Sequence, residues 1–184
     1  MKHLLPFACL VICPHGPLLA ATPGNPHAKF LKSVQMDVTA IKPAEIKGGD
    51  YDDKQQKIGV RVKFTNNDST QSFEGYTATI SAIGESVNER RLKKVLMQEN
   101  VPITIAPRKT MEHKCPEVIT RFDKTGLAFG YFYDGWVATI KDASGKVIYA
   151  KTSRYTAWEK TPDKVGAIAG GKCYNMALDE VKEP

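Results

Sequence analysis

The sequence predicts an all-β protein, folded as one antiparallel β-sandwich of about seven to eight short strands. Along most of the chain apolar residues alternate with polar ones, which is the period of a strand with one buried face. Turn-forming residues recur at short intervals, and no segment has a convincing amphipathic helical pattern. Many short strands without intervening helices are typical of a sandwich and not of an α/β fold.

The clearest strand lies between Ile58 and Thr65. Val60, Val62 and Phe64 share one face with Ile58, and the residues between them are polar or glycine. Two asparagines and an aspartate follow directly, and these residues favour a turn because they tolerate left-handed backbone and form local hydrogen bonds. The same alternation predicts further strands at 34–40, 76–82, 101–105 and 111–115.

In the second half of the chain, one segment is ambiguous and the next ones predict a hairpin. The pattern of Asn88–Gln98 fits both a helix and a strand, and we favour a strand because its neighbours are all β. An aromatic strand follows over 129–140, and the loop at 141–146 places Gly145 at a left-handed position. The return strand is predicted at 147–150.

The first 21 residues are predicted to be a cleaved signal peptide. Lys2 gives a positively charged start, the apolar run Leu4–Leu19 follows, and Ala20 and Ala21 offer small side chains for cleavage. The run is too short and too often broken by proline to span a bilayer, which needs about 20 apolar residues. We therefore expect an exported protein in the periplasm, in the outer envelope or at the cell surface, without a stable membrane span.

The rest of the chain is expected to form one domain. Residues 22–32 contain two prolines and a glycine and are predicted to be a flexible lead-in. The sandwich is assigned to 33–175, and 176–184 is assigned to a C-terminal tail. A chain of 184 residues suffices for one hydrophobic core.

Two cysteines remain once the leader is removed, Cys115 and Cys173. An even pair in an oxidising compartment most simply forms a disulfide. Such a bond would stabilise the fold by about 4 kcal/mol, because it constrains the unfolded chain. Two separate buried thiols are the alternative.

The densest basic cluster consists of Arg90, Arg91, Lys93 and Lys94. On a strand, Arg91 and Lys93 would share one face and Lys94 the other. The cluster is either a solvated edge strand guarded by charge or a docking site for an anionic glycan, a lipid head group or an acidic partner. No aromatic residues are interleaved with it, and the net charge of +6 is diffuse, so we expect no nucleic-acid binding.

The richest aromatic cluster contains Tyr131, Tyr133 and Trp136. Aromatic side chains bury large areas and usually belong to the core, and Trp136 is the best single core candidate. Tyr131 and Tyr133 lie on one face of the predicted strand and could instead stack on sugars or meet a partner. We therefore add these two tyrosines to the four basic residues as a candidate binding surface.

No catalytic, cofactor-binding or metal-binding residues are predicted. The segment Gly166–Cys173 fits the spacing of a phosphate-binding loop, but Cys173 replaces the hydroxyl residue and too little chain follows. His113 and Cys115 would supply only two metal ligands. A G-x-S-x-G nucleophile motif does not occur in the sequence. We therefore expect a protein without a cofactor that is not an enzyme, with a small hydrolase of unrecognised residues as the weakest alternative.

Two segments resemble secreted bacterial immunoglobulin-like domains. Residues 57–68, KIGVRVKFTNND, are similar to a strand and turn that open such domains, and residues 135–148, GWVATIKDASGKVI, are similar to a hairpin of uncharacterised envelope proteins. The resemblance spans roughly 57–150 and implies an immunoglobulin-like β-sandwich. By analogy it implies an envelope or surface module that acts through protein–protein contacts, with pilus-like or adhesion-associated assembly as the finer expectation. A carbohydrate-binding module for anionic glycans is the alternative.

Overall fold

The computed structural model describes residues 27–47, 54–125 and 128–183, with backbone alone over 42–47. Within these ranges the chain is almost entirely antiparallel β-sheet, which confirms the all-β class. The predicted signal peptide, 1–21, lies outside the described residues, as does the part of the predicted lead-in before residue 27.

Ten strands and three short helical segments make up the described part of the chain. The strands are β1 (Val34–Lys47), β2 (Lys54–Asn66), β3 (Phe73–Ser86), β4 (Lys93–Ile105), β5 (Thr110–Lys114), β6 (Val118–Asp123), β7 (Phe129–Lys141), β8 (Val147–Thr152), β9 (Cys173–Tyr174) and β10 (Glu180–Val181). The helical segments are α1 (Ala28–Ser33), a 3₁₀ turn (Trp158–Lys160) and α2 (Pro162–Gly166). Since β9 and β10 have two residues each, the longer strands number eight. The ambiguous segment ends in β4, so the preference for a strand is confirmed from Lys93 onward.

The strands form two sheets that join along one short seam. Sheet I contains β1, β2, β5 and β6, and sheet II runs in the order β8, β7, β3, β4, β9, β10. The seam is the pairing of Phe122 and Asp123 in β6 with Gly130 and Phe129 at the start of β7. The orders β1–β2–β5/β6 and β8–β7–β3–β4 correspond to the A–B–E and G–F–C–C′ orders of an immunoglobulin-type sandwich.

The main core lies between the two sheets. Val60, Val62 and Phe64 project into it from β2, as the alternation of that strand predicts, and Ile80 projects from β3. Trp136 lies in the same cluster, so the prediction that it is a core residue is confirmed. These side chains are almost completely withdrawn from water, and their burial is the main favourable term for the sandwich.

A short helix, α1, closes one end of this core. Phe30 of this helix is buried and stacks on Tyr76 at a ring separation of 3.8 Å. Phe73 meets the ring of Phe30 edge-on. A six-residue helix is unstable by itself, so the contact of Phe30 with the core holds it in place. The prediction of a flexible lead-in up to residue 32 is therefore wrong from Ala28 onward.

The C-terminal part of the chain, from Tyr155 onward, forms a C-terminal layer that covers the outer face of sheet II. Tyr155 and Trp158 stack at a ring separation of 4.3 Å and pack with Val165, Tyr174 and other residues against the outer face of the sheet. Leu178 is buried in the same layer, and β10 pairs with β9. The segment from 176 to 183 is therefore packed against the domain, and the prediction of a C-terminal tail is wrong for it.

Two β-bulges change which way side chains point in sheet II. The register of β3 against β4 skips Leu96, and the register of β3 against β7 skips Asp134. Because of the first bulge, Val95 packs in the outer layer while Met97 packs in the main core, although they are two residues apart. A bulge adds one residue to one strand of a pair and redirects the side chains beside it.

No helix in the described part of the chain is long and apolar enough to cross a membrane.

Candidate functional site

The predicted binding surface does not form one surface in the structure. Arg90 and Arg91 are exposed in the turn before β4. Lys93 is only 4% exposed and lies under the C-terminal layer, whereas Lys94 is partly buried on the opposite side of the strand. The prediction that Lys93 shares an exposed basic face with Arg91 is therefore wrong, because the C-terminal segment covers β4 at that point.

Lys93 belongs to a buried ionic network. It forms ion pairs with Glu85, its direct neighbour on β3, and with Asp134, where Nζ and Oδ2 are 2.8 Å apart. The more exposed Arg154 pairs with the other carboxylate oxygen of Asp134 at 2.7 Å, and the hydroxyl of Tyr155 donates to Oδ2. Each charge in this network thus has an opposite charge beside it, which a buried charge requires.

The network shifts the titration of its members. Burial by itself raises the pKa of Asp134, but the hydrogen bonds from Lys93 and Tyr155 and the charge of Lys93 outweigh burial, and the net pKa is lowered. Burial, and then the hydrogen bond to Asp134, raise the pKa of Tyr155 far above its usual range. These shifts favour the ionised form of Asp134 and the neutral form of Tyr155, as expected for a carboxylate paired with cations in a buried network.

Sequence reasoning missed Glu85, Asp134, Arg154 and Tyr155 as members of a network with Lys93. They come from two strands, β3 and β7, and from the segment after β8, whereas Lys93 lies in β4, so no local motif joins them. One signal was present: Asp134 interrupts an otherwise aromatic strand, and a carboxylate inside a buried strand needs a cationic partner. The sequence does not say which of the many lysines and arginines that partner is.

Tyr131 and Tyr133 are not exposed aromatic platforms. Tyr131 is 9% exposed, Lys94 lies over its ring at 5.0 Å, and its hydroxyl is 3.4 Å from the sulfur of Cys173. Burial, and then this hydrogen bond, raise the pKa of Tyr131. Tyr133 packs partly buried against the main core, and burial raises its pKa to about 12. The expectation that these two rings stack on sugars is therefore not supported by their positions.

The predicted disulfide is absent from the structure. Cys115 and Cys173 are both free, buried thiols. Cys115 lies in the main core beside β2, whereas Cys173 lies in a small separate cluster with Tyr131 and Leu92. The two cysteines thus belong to different hydrophobic clusters, and two separate buried thiols, the alternative from the sequence, describe the structure. Burial, and then the nearby Glu99, raise the pKa of Cys115 to about 11.

His113 lies near Cys115 but forms no metal site with it. Its Nε2 atom is 3.7 Å from a carboxylate oxygen of Glu99 on β4. Within the described ranges, no group of three or more His, Cys, Asp or Glu side chains is arranged to hold a metal ion.

An open groove lies between the two edge strands β1 and β8. It has a volume of about 350 Å³, and α1 borders it. β1 pairs only with β2 and β8 only with β7 in the described part of the chain, so each has one edge without a strand beside it. Tyr149 of β8 is 37% exposed at the rim. The apolar lining residues include Phe30, Leu31, Val34, Met36, Ile140 and Tyr149.

Comparison with known proteins adds little to this description. No protein-family model matches the chain, and no curated protein matches it. A crystal structure from Akkermansia muciniphila is 12% identical over 66% of this chain and 71% of that chain, with a TM-score of 0.31. An X-ray structure of the Northeast Structural Genomics Consortium target SoR45 is 12% identical over 66% of this chain and 86% of that chain, with a TM-score of 0.33. Likenesses this weak carry no inference about function.

Proposed function

We propose that this protein is an exported, non-enzymatic immunoglobulin-like module that acts in the cell envelope or at the cell surface through protein–protein contacts. Pilus-like or adhesion-associated assembly is the finer form of this proposal. The charged start, apolar run and small residues of 1–21 support export. The partner is a protein of the envelope that presents an extended strand.

The open groove between β1 and β8 is the observation that carries the proposal. An edge strand presents unpaired backbone N–H and C=O groups, which an incoming strand can bind. Beside these edges the groove offers apolar side chains, which would bury alternate residues of that strand. The exposed ring of Tyr149 stands at the rim, and tyrosine is among the residues enriched at binding hot spots.

Photo-crosslinking in the native host tests the proposal. A photoreactive residue is placed at Tyr149 of the full chain and, as a control, at Met176, which is exposed to a similar extent in the C-terminal layer. We expect a defined protein crosslink from position 149, recovered in the envelope fraction, and none from position 176. Recovery of an uncrosslinked protein in the cytoplasmic fraction, or equal crosslinking from both positions, would contradict the proposal.

The non-enzymatic part of the proposal needs its own test. Purified protein is incubated with a panel of ester, peptide and glycoside substrates, and we expect no turnover above the background rate. A reproducible turnover that co-purifies with the protein would instead support the hydrolase alternative.

A further inference from the structure

A second groove lies where β7 passes from sheet I to sheet II, and it has a volume of about 380 Å³. Gly130 forms part of its wall with a positive φ of 84°. A Cβ atom at this position would lie 2.2 Å from the carbonyl oxygen of Arg121, so only glycine lets β7 approach β6 this closely. It is lined by residues of β3, β4, β6 and β7, by Asn88 and by Glu183, and it shares no lining residue with the open groove between β1 and β8.

A carboxylate already occupies the cationic side of this groove. Lys94 donates to both carboxylate oxygens of Glu183, at 2.6 and 2.8 Å. Arg121 lines the same groove and is exposed, and it forms no ion pair with any described residue. Among the described residues that line the groove, two side chains are cationic, Lys94 and Arg121, and one is a carboxylate, Glu183.

Neutral hydrogen-bonding groups and an exposed ring complete the lining. Thr120 also lines the groove, but its Oγ1 atom is fully buried. Asn88 is exposed at the groove, and Phe129 is 44% exposed there.

We propose that this groove binds an acidic saccharide through one uronic acid residue. The carboxylate of the sugar replaces that of Glu183 on Lys94 and also pairs with Arg121. A hydroxyl group of the sugar bonds with Asn88, and the apolar face of the ring packs on Phe129. The volume suits one or two sugar units, because small-ligand sites begin at about 300 Å³.

The lining favours a sugar over an acidic peptide. The carboxylates of an acidic peptide would use mainly the two cations, whereas this groove also offers the side-chain amide of Asn88 and the exposed ring of Phe129. A uronic acid offers a carboxylate, several hydroxyls and an apolar face, so it can use all of these groups. The inference goes beyond the proposed function, because it concerns a different groove and a different class of ligand.

Calorimetric titration with trigalacturonate tests this inference, with the neutral trisaccharide maltotriose as the control ligand. We expect the purified protein to bind trigalacturonate and not maltotriose. Arg121→Gln should weaken binding about tenfold, the usual effect of losing a charged hydrogen bond. Phe129→Ala should weaken it about fivefold. Glu183→Gln should tighten it, because the substitution frees Lys94 from its internal carboxylate.

Arg90→Gln is the matched control, since Arg90 is exposed nearby but does not line the groove. We expect it to bind trigalacturonate as the unsubstituted protein does. Arg121, Glu183 and Phe129 are all exposed, so unchanged thermal unfolding would show that the variants fold. Three results would overturn the inference: no binding even by Glu183→Gln, equal weakening by Arg90→Gln and Arg121→Gln, or equal competition by a glutamate-rich peptide.

Discussion

The two faces of sheet II are held against their neighbours in different ways. The inner face is apolar, and residues such as Ile80 and Ala138 pack against sheet I with no exposed surface. The outer face also buries apolar residues, but Lys93 and Asp134 lie buried beside them under the C-terminal layer. Burial of apolar surface tolerates many residue combinations, whereas a buried ion pair depends on both partners. The outer face is therefore the one that a single substitution disrupts through charge.

The largest effect on stability is expected from a substitution at the inner face. Phe64→Ala removes a completely buried ring from the core between the sheets, and we expect the free energy of unfolding to fall by about 3–5 kcal/mol. Phe129→Ala is the control, because that residue is 44% exposed, and it should change stability far less, by about 0.5 kcal/mol. Urea denaturation measures both. Equal losses from the two substitutions would contradict the assignment of the core.

Lys93→Met at the outer face is expected to lower the free energy of unfolding by a smaller but still large amount. The substitution leaves the carboxylates of Glu85 and Asp134 close together in a buried position, with Arg154 as the remaining cation. We expect a loss of about 3 kcal/mol, at the lower end of the range for broken buried pairs. Lys94→Met on the same strand removes a more exposed pair and should cost less than about 1 kcal/mol. A Lys93→Met protein as stable as Lys94→Met would show that the network contributes little.

The pH dependence of stability should carry the signature of Asp134. Its pKa is lowered in the folded protein, so its contribution is present above its unfolded pKa of about 4 and is lost as the pH falls through the folded value. The stability difference between the unsubstituted protein and Asp134→Asn should therefore be largest near neutral pH and shrink in acid. Urea denaturation of both proteins at pH 7, 5 and 3 measures it. A difference that does not depend on pH would contradict the lowered pKa.

The smallest expected effect concerns the two thiols. Since Cys115 and Cys173 are free and buried, a reducing agent should leave the thermal midpoint unchanged. Burial and the raised pKa of Cys115 keep its thiolate population low, so an alkylating reagent at pH 8 should label neither cysteine in the folded protein. Both should be labelled in denaturant without a reducing agent, as measured by mass spectrometry. If labelling in denaturant requires a reducing agent, the result would instead support the predicted disulfide.

Sequence reasoning predicted the parts of the fold that follow from local patterns and missed the parts that depend on long-range contacts. The strands β1, β2 and β8 could be predicted because their alternation and flanking turns are local. β6 and α1 were missed: Val118–Asp123 is short, and Ala28–Ser33 lies in a segment rich in turn formers. What holds α1 is the contact of Phe30 with Tyr76 and Phe73. A contact between residues so far apart in the chain leaves no periodic trace in the sequence.

Of the candidate surface, the sequence predicted the residue types but not their surroundings. Lys94 does lie in a groove, but Tyr131 is buried beneath it and Lys93 faces the other way. Arg121 and Phe129, which complete that groove, were not singled out, because they lie on β6 and at the start of β7. The place where β6 meets β7 depends on pairing between strands, which a local sequence pattern does not show.

The sequence by itself determined the all-β class, the position of most strands and the place of Trp136 in the core, because period-two alternation follows directly from strand geometry. Only the tertiary structure decided three further features: the separation of Cys115 from Cys173, the burial of Lys93 beside Asp134, and the grooves at the sandwich edges. The bulges at Leu96 and Asp134 redirect side chains out of strict alternation. Charges also find their partners across strands distant in the chain, so these features arise only when the sheets pack.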